Sequence, residues 1–98
     1  MVSIKEKILE IKKRPAMFLG KNYICCLKSF LDGIMFVGFD MIKDKNYLDE
    51  FQKYIESKYG MNSHSWDRIL LHYSTDESTA LTLFFEEIES YEKYLIDD

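Results

Sequence analysis

Along most of the chain, apolar residues recur every three or four positions, the period of a helix with one buried face. Ile4, Ile8 and Ile11 predict a first helix over residues 4–13, with Ser3 and Glu6 spaced as a capping box at its start. Pro15 closes it, because the proline ring pushes Arg14 out of the α region. Ile24, Leu27, Phe30, Leu31, Ile34, Met41 and Ile42 outline a longer helix over 23–43. Gly33 and Gly38 lie inside it; each costs about 1 kcal/mol relative to alanine, which predicts close helix packing or a kink. Asp44-Lys45-Asn46 reads as a turn.

Leu48, Phe51 and Ile55 form a third stripe, with Gly60 placed to stop it. Ser65 is placed to cap a short helix carrying Trp66, Ile69, Leu70 and Tyr73, with Trp66 as its core anchor. Ser74 and Glu77 form a second capping box, after which Leu81, Phe84, Ile88, Tyr91 and Leu95 mark one face of a final helix. The best strand candidate, residues 16–20, has no partner strand. The pattern therefore predicts an all-α protein, a compact single-domain bundle of about five helices spanning 1–98.

Composition agrees: 98 residues, 47% apolar and 15% aromatic, suffice for one core and one domain. The first residues show no long apolar block followed by small residues, so the chain reads as cytoplasmic and not exported. Lys28, Asp32 and Asp40 interrupt the most apolar stretch, which argues against a membrane span. Cys25 and Cys26 are neighbours whose side chains diverge on a helix, and they read as reduced, small core residues.

Charge changes the picture more than composition does. Residues 1–43 carry a net +4, residues 44–75 a net −1 and residues 76–98 a net −7. So polarised a chain can attract its own ends or turn an acidic face towards a basic partner. General nucleic-acid binding is disfavoured, leaving Lys12, Lys13 and Arg14 as a local basic patch.

No glycine-rich phosphate loop, zinc-spaced Cys/His set or nucleophile elbow occurs, and His64 and His72 stand apart from any ligand partner. No metal or cofactor is implied. Glu86 and Glu89 fall opposite the apolar stripe of the last helix, while Glu87 and Glu92 flank it. Solvation, not catalysis, is the state this predicts, so the chain reads as a binding protein and not an enzyme. The acidic set Asp76, Glu77, Glu86, Glu87, Glu89 and Glu92, joined by Asp97 and Asp98, is either a solvated surface or a partner-binding one.

The segment "KRPAMFLG" resembles the "RPGMYIG" stretch of the DNA gyrase B ATPases over eight residues, but the metal-binding helix and lid motifs of that fold are missing. A longer resemblance runs through "RPAMFLG", "LKSFLDGIMFVGFD", "FQKYIESKYG" and "SWDRILLHYSTDESTALTLFFEEIESY". On these segments the chain is similar to a group of small bacterial proteins that themselves resemble immunity proteins against polymorphic or contact-dependent toxins. Arg14, Pro15, Met17, Gly33, Trp66, Phe84 and Phe85 carry the likeness, while Ala16 stands where glycine is common. The resemblance implies a cognate toxin domain as partner, a basic nuclease matching the acidic residues best. The other reading is a small regulatory or adaptor protein that assembles through its helices, as a homodimer for example. Met17, Phe18 and Leu19 are expected in the core; Phe85 is open between core and exposed anchor; Arg14 is open between structure and function, with pairing to the acidic last helix as one role.

Overall fold

The first helix starts where two side chains from distant parts of the chain meet its free N–H groups. The computed structural model describes residues 1–97. Helix α1 (Ile4–Lys13) follows Ser3, whose hydroxyl accepts the Glu6 N–H at 3.2 Å. The other first-turn donors go to Asp44: its carboxylate accepts the Ile4 N–H at 2.7 Å, the Lys5 N–H at 3.1 Å and the Ser3 hydroxyl at 3.1 Å. Asp44 is thus more than a turn residue, because it caps a helix forty positions away. Beside it, the Val2 N–H donates to the Met41 carbonyl and the Lys43 N–H to the Val2 carbonyl, a parallel bridge between Val2 and Ile42.

Arg14 leaves α1 at φ −145°, and Pro15 opens helix α2 (Pro15–Leu19). The segment that offered the best strand candidate, and no partner strand, is helical: proline at the first position loses no hydrogen bond and has the right φ. Gly20 ends α2 at φ 81°, a conformation that favours glycine. Phe18 and Leu19 pack against the core, with Phe18 edge-on to Phe30 at 6.3 Å. Met17 does not; at 64% exposure it lies on the outer side of this short helix.

Helix α3 (Ile24–Gly38) is shorter than its apolar pattern suggests. At Gly38 the chain passes into a 3-10 turn (Phe39–Met41), and Ile42 then extends to pair with Val2. Gly33 neither kinks α3 nor admits a neighbouring helix: it is exposed, and a Cβ there would meet nothing within 4 Å. Cys25 is also exposed rather than in the core, and Cys26 is only partly covered.

Helix α4 (Tyr47–Tyr59) ends at Gly60, left-handed at φ 68°. Helix α5 (Trp66–His72) begins after Ser65 as expected, yet its first N–H is taken by the Gln52 side chain of α4 at 2.5 Å. Helix α6 (Glu77–Asp97) is capped by Asp76, which accepts the Thr79 N–H at 2.8 Å; the Ser74 hydroxyl instead donates back to the Leu70 carbonyl. Leu81, Phe84, Ile88 and Tyr91 are buried, whereas Leu95 emerges into solvent. Among the described residues six α-helices result, five of them seven residues or longer.

Helix α6 packs on α3 and α5, α5 packs on α4, and α1 packs on α2 and α4. At the centre Phe84 meets Trp66 at 4.9 Å and Phe51 at 5.6 Å, and Phe51 meets Trp66 at 6.0 Å and Tyr91 at 5.6 Å. Trp66 is buried, as its helix requires.

Burial would raise the Asp44 pKa, but the Ile4, Lys5 and Ser3 donors outweigh it and hold the carboxyl below its ordinary 3.8. Asp44→Ala should cost about 1–2 kcal/mol in urea unfolding near neutral pH, the scale of a lost helix cap. With the folded-state pKa lowered, the contribution is complete above the ordinary value and disappears as pH falls through the folded one. The stability gap between the native chain and Asp44→Ala should accordingly be flat above about pH 4 and shrink below it; a gap that widens in acid would contradict this cap.

Candidate functional site

Of the acidic residues near the C-terminus, most are committed to the fold. Glu87 was expected at the edge of the core; it is 3% exposed, between Lys58 at 2.7 Å and the hydroxyl of Tyr59. Position 87 lies at the margin of the buried arc, next to Tyr91, where Lys58 and Tyr59 of α4 cover it. Burial and the bond to Glu87 push the Tyr59 hydroxyl pKa upward, and the same carboxylate raises the Lys58 pKa. Glu87 is therefore unavailable to a partner.

Glu92 pairs with Lys5 at 2.6 Å and accepts the Tyr47 hydroxyl at 2.7 Å. Burial would raise its pKa, but these two donors keep it below the usual carboxylate range. Asp76 caps α6, and Glu77 accepts the Cys25 N–H at 2.9 Å, closing the start of α3. A separate side-chain hydrogen bond of the Cys25 thiol with Glu77, reinforced by desolvation, pushes that thiol up to about 11, so it is a poor thiolate at neutral pH. Asp97 is exposed at the end of α6, and Asp98 lies outside the described residues.

Glu86 and Glu89 remain. Both are exposed, Glu86 makes no ion pair among the described residues, and Glu89 pairs with Lys12 at the end of α1. That hydrogen bond from Lys12 lowers the Glu89 pKa. The two carboxylates border a cleft of about 400 Å³ between α6 and the α1–α2 corner. Pro15, Leu81 and Phe85 give it an apolar floor, while Asn22, Ser78 and Thr82 add neutral polar groups. Ser78, Thr82, Phe85 and Glu89 follow one another at steps of four, three and four, which sets them along one side of α6. Phe85 is thus mostly core, with its remaining edge in the cleft.

The motif residues divide in the same way. Phe84 and Trp66 are core, Pro15 and Phe85 meet in the cleft, and Met17 and Gly33 are exposed. Arg14 is exposed at the α1–α2 junction without an ion pair among the described residues; the pairing of the chain's two ends falls instead to Lys5 and Lys12. Among the described residues no three His, Cys, Asp or Glu side chains converge as a metal ion would need.

One surface escaped the pattern. Phe36 and Val37 are 89% and 86% exposed, and Phe39, Met41 and Met1 are exposed beside them, Met1 being brought alongside Met41 by the Val2–Ile42 bridge. The signal was in the sequence: Ile34, Met35, Phe36 and Val37 are four consecutive apolar residues on a helix, and no single buried face can hold all four. Comparison with protein-family models, curated proteins and solved structures gives no significant match.

Glu87→Ala should lower stability by about 1–3 kcal/mol, the scale of stranding a buried hydrogen-bonding group, while Lys58, partly exposed, can be rehydrated. Glu86→Ala should stay within about 0.5 kcal/mol. Urea denaturation of both variants checks the pair, and equal effects would refute the division between structural and free carboxylates.

Proposed function

We propose that the chain is an immunity-type inhibitor that binds a basic toxin domain, with the α6 cleft as its docking site. The observation that carries this reading is the pairing of two surface carboxylates, Glu86 and Glu89, with the apolar floor of Pro15, Leu81 and Phe85. Such a cleft suits a lysine or arginine side chain, whose aliphatic stem covers the floor while its cationic head meets the carboxylates. Lys12 offsets one of the two negative charges, so the cleft selects a single cation over an extended basic tract. An inhibitor of this kind needs no active site of its own; it needs a stable scaffold and a charge field that speeds encounter with a basic partner.

The second reading, an adaptor that acts by helix-mediated assembly, draws its support from the exposed apolar end of α3.

The test is co-expression with the variable C-terminal domain of a secreted protein encoded next to this gene. Rescue of growth and co-purification are the expected outcomes. Glu86→Gln with Glu89→Gln should weaken the complex about tenfold, through the association rate, and flatten its salt dependence. Unchanged affinity and salt slope would exclude the cleft, and failure of the native chain to protect would count against the inhibitor reading itself.

A further inference from the structure

We propose that the exposed face of α3 is a self-association surface, on which two copies of the chain pair their α3 helices antiparallel about a two-fold axis. This inference is independent of the toxin reading, since the α6 cleft and this face share no residue and α3, about 22 Å long, leads from one towards the other.

Ser29, Asp32, Gly33 and Phe36 lie on one side of α3, all exposed. Phe36 is a knob standing in water, and one turn before it Gly33 leaves a notch that nothing in the same chain fills. Glycine inside a helix weakens it, and a large exposed ring gains nothing from the fold, so neither residue is explained by the monomer. In an antiparallel pair whose axis passes between the two positions, Phe36 of each copy covers the Gly33 notch of the other.

The area suffices. With Val37, Phe39, Met41 and Met1, the patch around Phe36 offers on the order of 600 Å² of apolar surface, at the upper end of what a monomer shows. A standard interface takes roughly 800 Å² from each partner, which this patch and its polar rim approach. Charge gives a basic partner no advantage here, because Lys43 and Lys45 border the patch opposite Asp32 and Asp40, and Asp32 is already held by Lys28.

Sedimentation equilibrium of the native chain should give twice the 11.7 kDa chain mass at micromolar concentration. Phe36→Lys should raise the dimer dissociation constant at least thirtyfold, roughly the loss of a central hot-spot side chain. Gly33→Leu, whose Cβ would meet nothing within 4 Å in its own chain, should weaken the dimer about as much while leaving the circular dichroism spectrum unchanged. A native chain that sediments as a monomer overturns the proposal, as does a dimer insensitive to both substitutions. A monomeric chain whose capture of a toxin domain is abolished by Phe36→Lys also overturns it, and gives this face to that other partner.

Discussion

The meeting of Phe51, Trp66 and Phe84 is what the rest of the molecule depends on. Each ring comes from a different helix, α4, α5 and α6, and all three centroid distances fall between 4.9 and 6.0 Å. Helix α5 has seven residues, too few to persist alone in water, so its existence rests on burying Trp66 between the other two rings. Gln52, one position after Phe51, then supplies the carbonyl that takes the first free N–H of α5. Packing and capping thereby come from the same turn of α4. Once Phe84 is seated, the rotation of α6 is set, and with it the burial of Glu87 and the outward aim of Glu86 and Glu89.

The chain's charge polarity is spent largely on itself. Lys5 with Glu92 and Lys12 with Glu89 join the basic first helix to the acidic last one. As exposed or half-exposed pairs they add little stability. The carboxylates with more influence are those that meet backbone N–H groups: Asp44 on α1, Glu77 on α3 and Asp76 on α6. Here a negative group faces the positive end of a helix and satisfies donors that would otherwise have no partner. An acidic stretch of sequence is consequently not an acidic face, because Asp76, Glu77, Glu87 and Glu92 hold elements together while Glu86 and Glu89 border a cleft.

What could be read from the sequence was whatever local chemistry decides. The start of α1 at Ser3, the stop at Gly60 and the arc from Leu81 to Tyr91 depend on neighbours within four residues, whereas Ser65 holds the cap position of α5 without its side chain bonding an N–H there. What could not be read depends on distant partners. Asp44 looks like a turn until α1 lies above it, and α3 ends early because Ile42 has a competing backbone partner in Val2. The burial of Glu87 requires Lys58 and Tyr59 from another helix, and no spacing announces them. Met17 and Cys25 were misplaced for a related reason: an apolar or small side chain on a short or peripheral turn has no claim on the core.

Departures from local rules in this chain fall into two kinds. A buried carboxylate, a cap borrowed across forty residues and a helix of seven residues all break a rule, and each is compensated by a named contact inside the monomer. Gly33 and Phe36 also break rules, and the chain itself supplies nothing in return. Where local preference, packing and polar satisfaction normally agree, a violation left uncompensated within one copy is where an outside partner has to be sought. By that criterion the α6 cleft is the weaker mark, because its carboxylates are comfortable in water and cost the monomer nothing. The bare notch and the exposed ring on α3 are the stronger one, since both lower the worth of the isolated chain and are made good only by contact.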